Sequence, residues 1–126
     1  MKRVVFVCVE NSSRSQMAEA FARMFGGVEA FSAGSRPSGR VNPKAIEAMR
    51  ELDYDLAIHH SKSLAELPDV PFDVAVTMGC GDKCPNLRAG RREDWNIPDP
   101  KELPSDEFRA VRDLIGVKVR TLLSTA

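Results

Sequence analysis

The chain has 126 residues and a mass of 13.9 kDa, enough for one domain with a real core and too little for two ordinary ones. Hydrophobic residues at 43% and charged residues at 29% fit a folded globular protein and exclude a disordered chain. Eighteen basic residues balance eighteen acidic ones, which excludes a global basic field for nucleic acid, and no apolar run approaches the roughly 20 residues of a membrane span.

Met1-Lys2-Arg3 followed by Val4–Val9 looks superficially like a secretion signal. Its apolar stretch is short, Glu10 follows at once, and no small-residue cleavage site appears. A cytoplasmic location is therefore expected. Arg3–Val9 is a β-branched and aromatic run, the pattern of a strand buried on both faces. Ser15–Phe25 reads as a helix, with Met17, Phe21 and Phe25 at helical spacing and Gly26-Gly27 as its stop. Val28–Ser32 predicts a second strand, closed by Ala33-Gly34. Residues 36–40 hold Pro37 and Gly39 and predict a loop. Asn42 caps a helix that has Pro43 at its first position and runs to about Leu52. A shorter helical piece is expected over Lys62–Leu67, and a third buried strand over Phe72–Met78. Gly79–Pro104 predicts mostly loop, with a short strand near Trp95. Ser105 opens the last helix, where Phe108, Val111, Ile115, Val119 and Leu122 make one apolar stripe.

Strands alternating with helices predict an α/β domain with a mainly parallel sheet, a single unit over residues 1–126 without repeats or linkers. Active sites in such sheets lie beyond the carboxyl ends of the strands. Cys8 ends the first strand and Cys80 follows the third. The balanced charge also conceals two unlike halves. Residues 1–50 carry a surplus of four positive charges and residues 51–126 a deficit of four. Such asymmetry is ordinarily surface decoration, and it also permits an anion site near the N-terminus.

Cys8-Val9-Glu10-Asn11-Ser12-Ser13-Arg14-Ser15 lies between the first strand and the first helix. A short loop there can turn successive backbone N–H groups inward as an anion nest, helped by the helix N-terminus. Arg14 can offer a planar fork to two oxygens of a tetrahedral oxyanion. The same field favours a thiolate at Cys8, and Ser15 can donate to it. The plain alternative is a buried strand-end thiol and a surface arginine. Nucleophilic attack needs an acid for the leaving oxygen. Asp99, in Ile97-Pro98-Asp99-Pro100, is the best candidate.

Three cysteines is an odd, low count that speaks against a disulfide-stapled secreted scaffold. Cys80 and Cys84 are separated by three residues, with glycines on either side of Cys80. A structural zinc site normally wants four ligands. His59 and His60 are available, but adjacent histidines point apart. The pair suits thiol–disulfide exchange better, and Lys83 can lower a neighbouring thiol's pKa.

The run Cys8–Glu19 resembles the start of the cytoplasmic arsenate reductases built on the low-molecular-weight tyrosine phosphatase fold. Ser32-Ala33-Gly34, Val41–Met49, Val76–Cys80 and Asp94-Trp95 leading to Asp99-Pro100 also look like that family. The resemblance implies a four-stranded parallel sheet flanked by helices. It implies that Cys8 attacks arsenate held by the loop amides and Arg14, while Asp99 assists departure of oxygen. Cys80 then attacks Cys8, and Cys84 resolves Cys80. The resulting disulfide is left for thioredoxin or another thiol reductant. Phosphate or sulfate can occupy the same site. No organic cofactor and no resident metal are expected, and the protein is expected to act as a monomer.

Three positions depart from the family. Ser13 stands where a cysteine is frequent, with no expected loss. The gap between Cys80 and Cys84 is narrower than in the thioredoxin-coupled members. Some members bind potassium through positions matching Asn11, Glu19 and Ser32 with an aspartate, and Lys62 stands in the aspartate's place. Its ammonium is expected to replace the metal, braced by Asn11 and Glu19. Two other functions compete with arsenate reduction. One is a phosphatase using Cys8, Arg14 and Asp99 alone, and the other is a non-enzymatic oxyanion or thiol-redox sensor. His59 and His60 are expected at the surface or in a loop, and Trp95 in packing. Arg36, Arg40, Arg88, Arg91 and Arg92 are candidates for steering an anion or meeting an acidic partner.

Overall fold

The β-branched run at the N-terminus forms β1 (Lys2–Cys8), with Val4–Cys8 entirely buried. Strands β2 (Val28–Gly34), β3 (Phe72–Thr77) and β4 (Ala89–Asp94) complete a parallel sheet in the order β2-β1-β3-β4. The computed structural model describes residues 1–79 and 87–125. Cys8 is in register with Gly34, and Thr77 with Asp94, so all four strands finish on one edge. That edge carries the site.

Side chains alternate across β1. Val4, Phe6 and Cys8 join the larger core with residues of α1 (Arg14–Phe25), α2 (Pro43–Arg50) and α3 (Ser105–Thr125). Val5 and Val7 face the other side, covered by Leu64, Leu67, Phe31 and Leu87. Among the described residues the three α-helices thus share one face, and a 3-10 turn covers the other. No helix among them is long and apolar enough to cross a membrane.

Asn42 accepts from the Lys44 amide at 2.9 Å and Pro43 takes the first helical position, as the sequence indicates. Arg112 of α3 locks α2 in place by donating to the Ala48 carbonyl and to Glu51, at 2.8 and 2.7 Å.

One expectation needs correction. The piece over Lys62–Leu67 is only a 3-10 turn at Leu64–Glu66, because Lys62 is drawn out to pair with Asn11, in the loop after β1, and with Gly34. A second 3-10 turn at Leu56–Ile58, capped by Asp55, had no periodic signal. The strand near Trp95 is six residues long and ends one residue before it. Trp95 itself is buried against Phe6, with ring centroids 6.0 Å apart.

Candidate active site

Past Cys8 the chain must turn from strand to helix in five residues. Asn11 takes a positive φ of 50°, which asparagine tolerates better than most residues. The carbonyls of Cys8, Val9, Glu10 and Ser12 accept from the amides of Ser35, Arg36, Ser38 and Asn42 at 3.2, 2.8, 3.1 and 3.0 Å. In a planar trans peptide the C=O and the following N–H point opposite ways. Pinning these carbonyls outward therefore turns the amides of Val9, Glu10, Asn11 and Ser13 to the inner side. The N-terminus of α1 joins them, since Ser13 makes no side-chain cap. A concave array of amides at a helix start suits an oxyanion. Gly34 makes the fit possible: a Cβ there would lie 2.6 Å from the Val9 carbonyl oxygen.

Cys8 is 2% exposed, and its Sγ lies 2.8 Å from Ser15 Oγ. The direction of that contact follows from its neighbours. The Lys62 backbone amide can only donate, and it donates to Asn11 Oδ1 at 3.0 Å. Asn11 Nδ2 must then face Ser15 Oγ, at 2.8 Å. A Cys8 thiolate has no proton to give, so in that state Ser15, which accepts from Asn11, donates to the sulfur. Gln16 Nε2 donates to Asn11 Oδ1, the Asn11 carbonyl and the His60 carbonyl at 2.8, 3.1 and 2.9 Å. Its Oε1 therefore faces His59 Nδ1, at 2.9 Å, which must carry hydrogen. His59 Nε2 accepts from the Tyr54 hydroxyl at 2.7 Å. Burial pushes His59 below the ordinary imidazole value, against the opposing pull of Glu19, and so favours this neutral form.

With Cys8 as the thiolate, the hydrogen bonds thus run in one direction, from Tyr54 to the sulfur. A bond to a charged group is worth about 1.5–3 kcal/mol, so Ser15→Ala is expected to slow Cys8 alkylation by iodoacetamide at neutral pH by at least about tenfold. An unchanged alkylation rate would show that the hydroxyl does not serve the thiolate.

Arg14 is 8% exposed. Its Nη1 donates to the Ile97 carbonyl at 3.1 Å, and its Nη2 stands 3.8 Å from Asp99 Oδ2. The guanidinium has five donors, so most remain for an oxyanion. Gly79 presses on it from the end of β3: with φ +85°, a Cβ there would lie 2.3 Å from Arg14 Nη1. Cys8, Ser12, Ser13, Arg14 and Asp99 line one open cleft of about 320 Å³. Val9 and Arg36 border its shallower extension. The structure thereby gathers Cys8, Arg14, Ser15, Asp99 and the loop between. Cys80 and Cys84 lie outside the described residues.

Behind the loop sits a buried polar cluster. Glu19 accepts from Ser32 Oγ at 2.5 Å and from Arg23 Nε at 2.9 Å, and Lys62 Nζ stands 3.7 Å from it. Lys62 Nζ also donates to Ser32 Oγ and the His60 carbonyl at 3.4 and 3.2 Å. Asn11 does not brace the ammonium as expected, because its Oδ1 is occupied by the Lys62 amide and Gln16. His59 and His60 lie in a loop, as expected; the His59 side chain is only 4% exposed because Gln16, Tyr54 and Glu19 enclose it, whereas His60 is exposed. Arg88 and Arg91 are paired with Asp69 and Glu93, and Arg92 donates to the Leu87 carbonyl, so these three serve β4 locally. Arg36 and Arg40 border the cleft. Sequence reasoning missed Gln16 and Tyr54. The one available signal was a glutamine at the start of an otherwise apolar-faced helix.

The family model for low molecular weight phosphotyrosine protein phosphatases matches residues 3–126. The chain belongs to this family. Within it, Arsenate reductase 2 of Staphylococcus saprophyticus is 41% identical over 125 residues, covering 94% of each chain. A solved arsenate reductase in its phosphate-binding state superimposes with a TM-score of 0.90 at 35% identity, over 99% of this chain and 98% of that one. A thioredoxin-dependent arsenate reductase of Corynebacterium glutamicum gives 0.79 at 29% identity, over 99% of this chain and 61% of that one. The relatives share the phosphatase fold.

Proposed function

We propose that this family member reduces arsenate to arsenite. The observation that carries the reading is the similarity to relatives named arsenate reductase, one of them 41% identical over 94% of this chain. The loop supports it: Cys8 Sγ lies 2.8 Å from Ser15 Oγ, inside a ring of inward amides closed by Arg14. The Cys80/Cys84 pair favours reduction over phosphoester hydrolysis, which needs neither thiol.

Arsenate sits on the amides of residues 9–15 and the Arg14 fork. The Cys8 thiolate forms a bond to arsenic, and an oxygen leaves as water with a proton from Asp99. Cys80 attacks Cys8 Sγ. The electron pair of the S–As bond passes to arsenic, which leaves as arsenite. Cys84 attacks Cys80 and frees Cys8. The Cys80–Cys84 disulfide is reduced by a thiol reductant such as thioredoxin. The single domain of residues 1–126 works as a cytoplasmic monomer without an organic cofactor, and phosphate or sulfate competes for the loop.

Supplying arsenate, thioredoxin, its reductase and NADPH tests the reading. Wild type should oxidise NADPH steadily, whereas Cys84→Ser should stop after one turnover with a Cys8–Cys80 disulfide detectable by mass spectrometry. Equal phosphatase turnover in both proteins, with no arsenate-dependent oxidation, would sink it. No turnover of either kind would leave an oxyanion or redox sensor.

The residues behind the loop do not fit a potassium ion, because the Lys62 ammonium stands against Glu19 and Ser32, where a cation would sit. Potassium is therefore expected to leave turnover and melting temperature at their values in equal sodium. A clear rise in potassium over sodium would overturn this assignment.

A further inference from the structure

Lys101 makes two contacts that join the halves of the site. Its backbone amide donates to Asp99 Oδ1 at 3.1 Å. Its ammonium reaches both carboxylate oxygens of Glu10, at 3.2 and 3.4 Å. Glu10 lies two residues after the nucleophile, and Lys101 two residues after the acid. Glu10 is also anchored: its carbonyl accepts from the Ser38 amide and Ser61 Oγ at 3.1 and 3.0 Å. Both side chains line the cleft that holds Cys8 and Arg14. The Glu10 hydrogen bond raises Lys101 above the ordinary lysine value, which keeps the pair ionic.

The consequence concerns which oxyanions the nest accepts. A tetrahedral anion held through three oxygens presents its fourth towards Asp99. In arsenate that oxygen carries at most a proton and leaves as water. In a phosphomonoester it carries an organic group, which must occupy the mouth between the two loops. There it meets the ion pair.

We propose that the Glu10–Lys101 ion pair determines specificity, straddling the cleft so that free inorganic oxyanions enter and organic phosphoesters are turned away. This rests on the Cys8 anion site of the proposed function. The excluded reaction is complete without redox chemistry. Cys8 attacks phosphorus, the bond to the ester oxygen breaks, and Asp99 protonates the departing alcohol. Water then cleaves the S–P bond, releasing inorganic phosphate and the thiolate. The pair is partly exposed, the Lys101 side chain 52% and the Glu10 side chain 35% accessible, so its effect lies in access to the site and not in stability.

Hydrolysis of para-nitrophenyl phosphate tests this, with inorganic arsenate as the competitive inhibitor that reports binding of the free anion. In Glu10→Gly and in Lys101→Met, the ratio of ester kcat/KM to arsenate affinity should rise by about tenfold or more, mainly through a lower KM for the ester. The exchanged pair, Glu10→Lys with Lys101→Glu, should bring the ratio back towards wild type, which mere loosening of the loops would not do. A ratio that stays near wild type in both single variants overturns the proposal, as does an exchanged pair no closer to wild type than either single variant. Far-UV circular dichroism checks that each variant is folded. The ratio needs only Cys8 chemistry, so absent arsenate-dependent NADPH oxidation would defeat the reductase reading without deciding this one.

Discussion

Replacing Arg14 by lysine should lower kcat/KM for arsenate by roughly 10²–10³, the loss typical of removing an oriented donor from an oxyanion site. The positive charge is kept, so the loss measures geometry. The guanidinium is rigid and planar, and it is held by the Ile97 carbonyl at 3.1 Å and faces Asp99 at 3.8 Å. A lysine ammonium is a point charge on a flexible stem and offers no fork. Gly79→Ala provides an independent check from outside the loop. Its Cβ would intrude to 2.3 Å from Arg14 Nη1 at a backbone position with φ +85°, so either the strand end or the guanidinium must move. Steady-state NADPH oxidation should fall in both variants. Full activity in Gly79→Ala would mean that Arg14 has room to spare, contrary to the packing described above.

Glu19→Gln should destabilise the fold by about 3 kcal/mol or more, because removing one partner of a buried ion pair leaves the other uncompensated. Glu19 is 3% exposed on α1, and it receives Ser32, Arg23 and Lys62. The partners differ in weight. The Arg23 side chain is 51% exposed and is well screened, whereas Lys62 is 15% exposed and has little water to fall back on. Arg23→Ala should therefore cost no more than about 1 kcal/mol. For a domain of this size, Glu19→Gln should lower the melting temperature by roughly 10 °C. Adding Lys62→Met to Glu19→Gln should recover part of the loss, since the stranded ammonium is then gone. Calorimetry that shows equal losses for Glu19→Gln and Arg23→Ala would refute this ranking.

The two variants probe different kinds of information. Arg14 was visible in the sequence as part of a loop between a buried strand and an amphipathic helix. Both flanking elements announce themselves through local periodicity, so the position of the loop follows from the chain itself. Glu19 was visible only through its match to a family motif, and its partners come from β2 and from the segment around residue 62. Lys62 illustrates the limit well. It was assigned to a helical piece and to a contact with Asn11 through its ammonium. In the fold it is extended, and its amide makes that contact instead. The enclosure of the His59 side chain has the same origin, since Gln16 lies 43 residues away in the chain.

The sequence by itself determined the alternation of strands and helices, the loop from Cys8 to Ser15, the capped start of α2 and the apolar stripe of α3. These depend on backbone preferences and side-chain periods that act over a few residues. Only the tertiary structure decided which carbonyls of the loop face outward, which way the Asn11 side-chain amide points, and that Lys101 ties Asp99 to Glu10. Each of those depends on fixed donors brought in from distant segments, and a hydrogen bond's direction is set by its neighbours in space rather than in the chain.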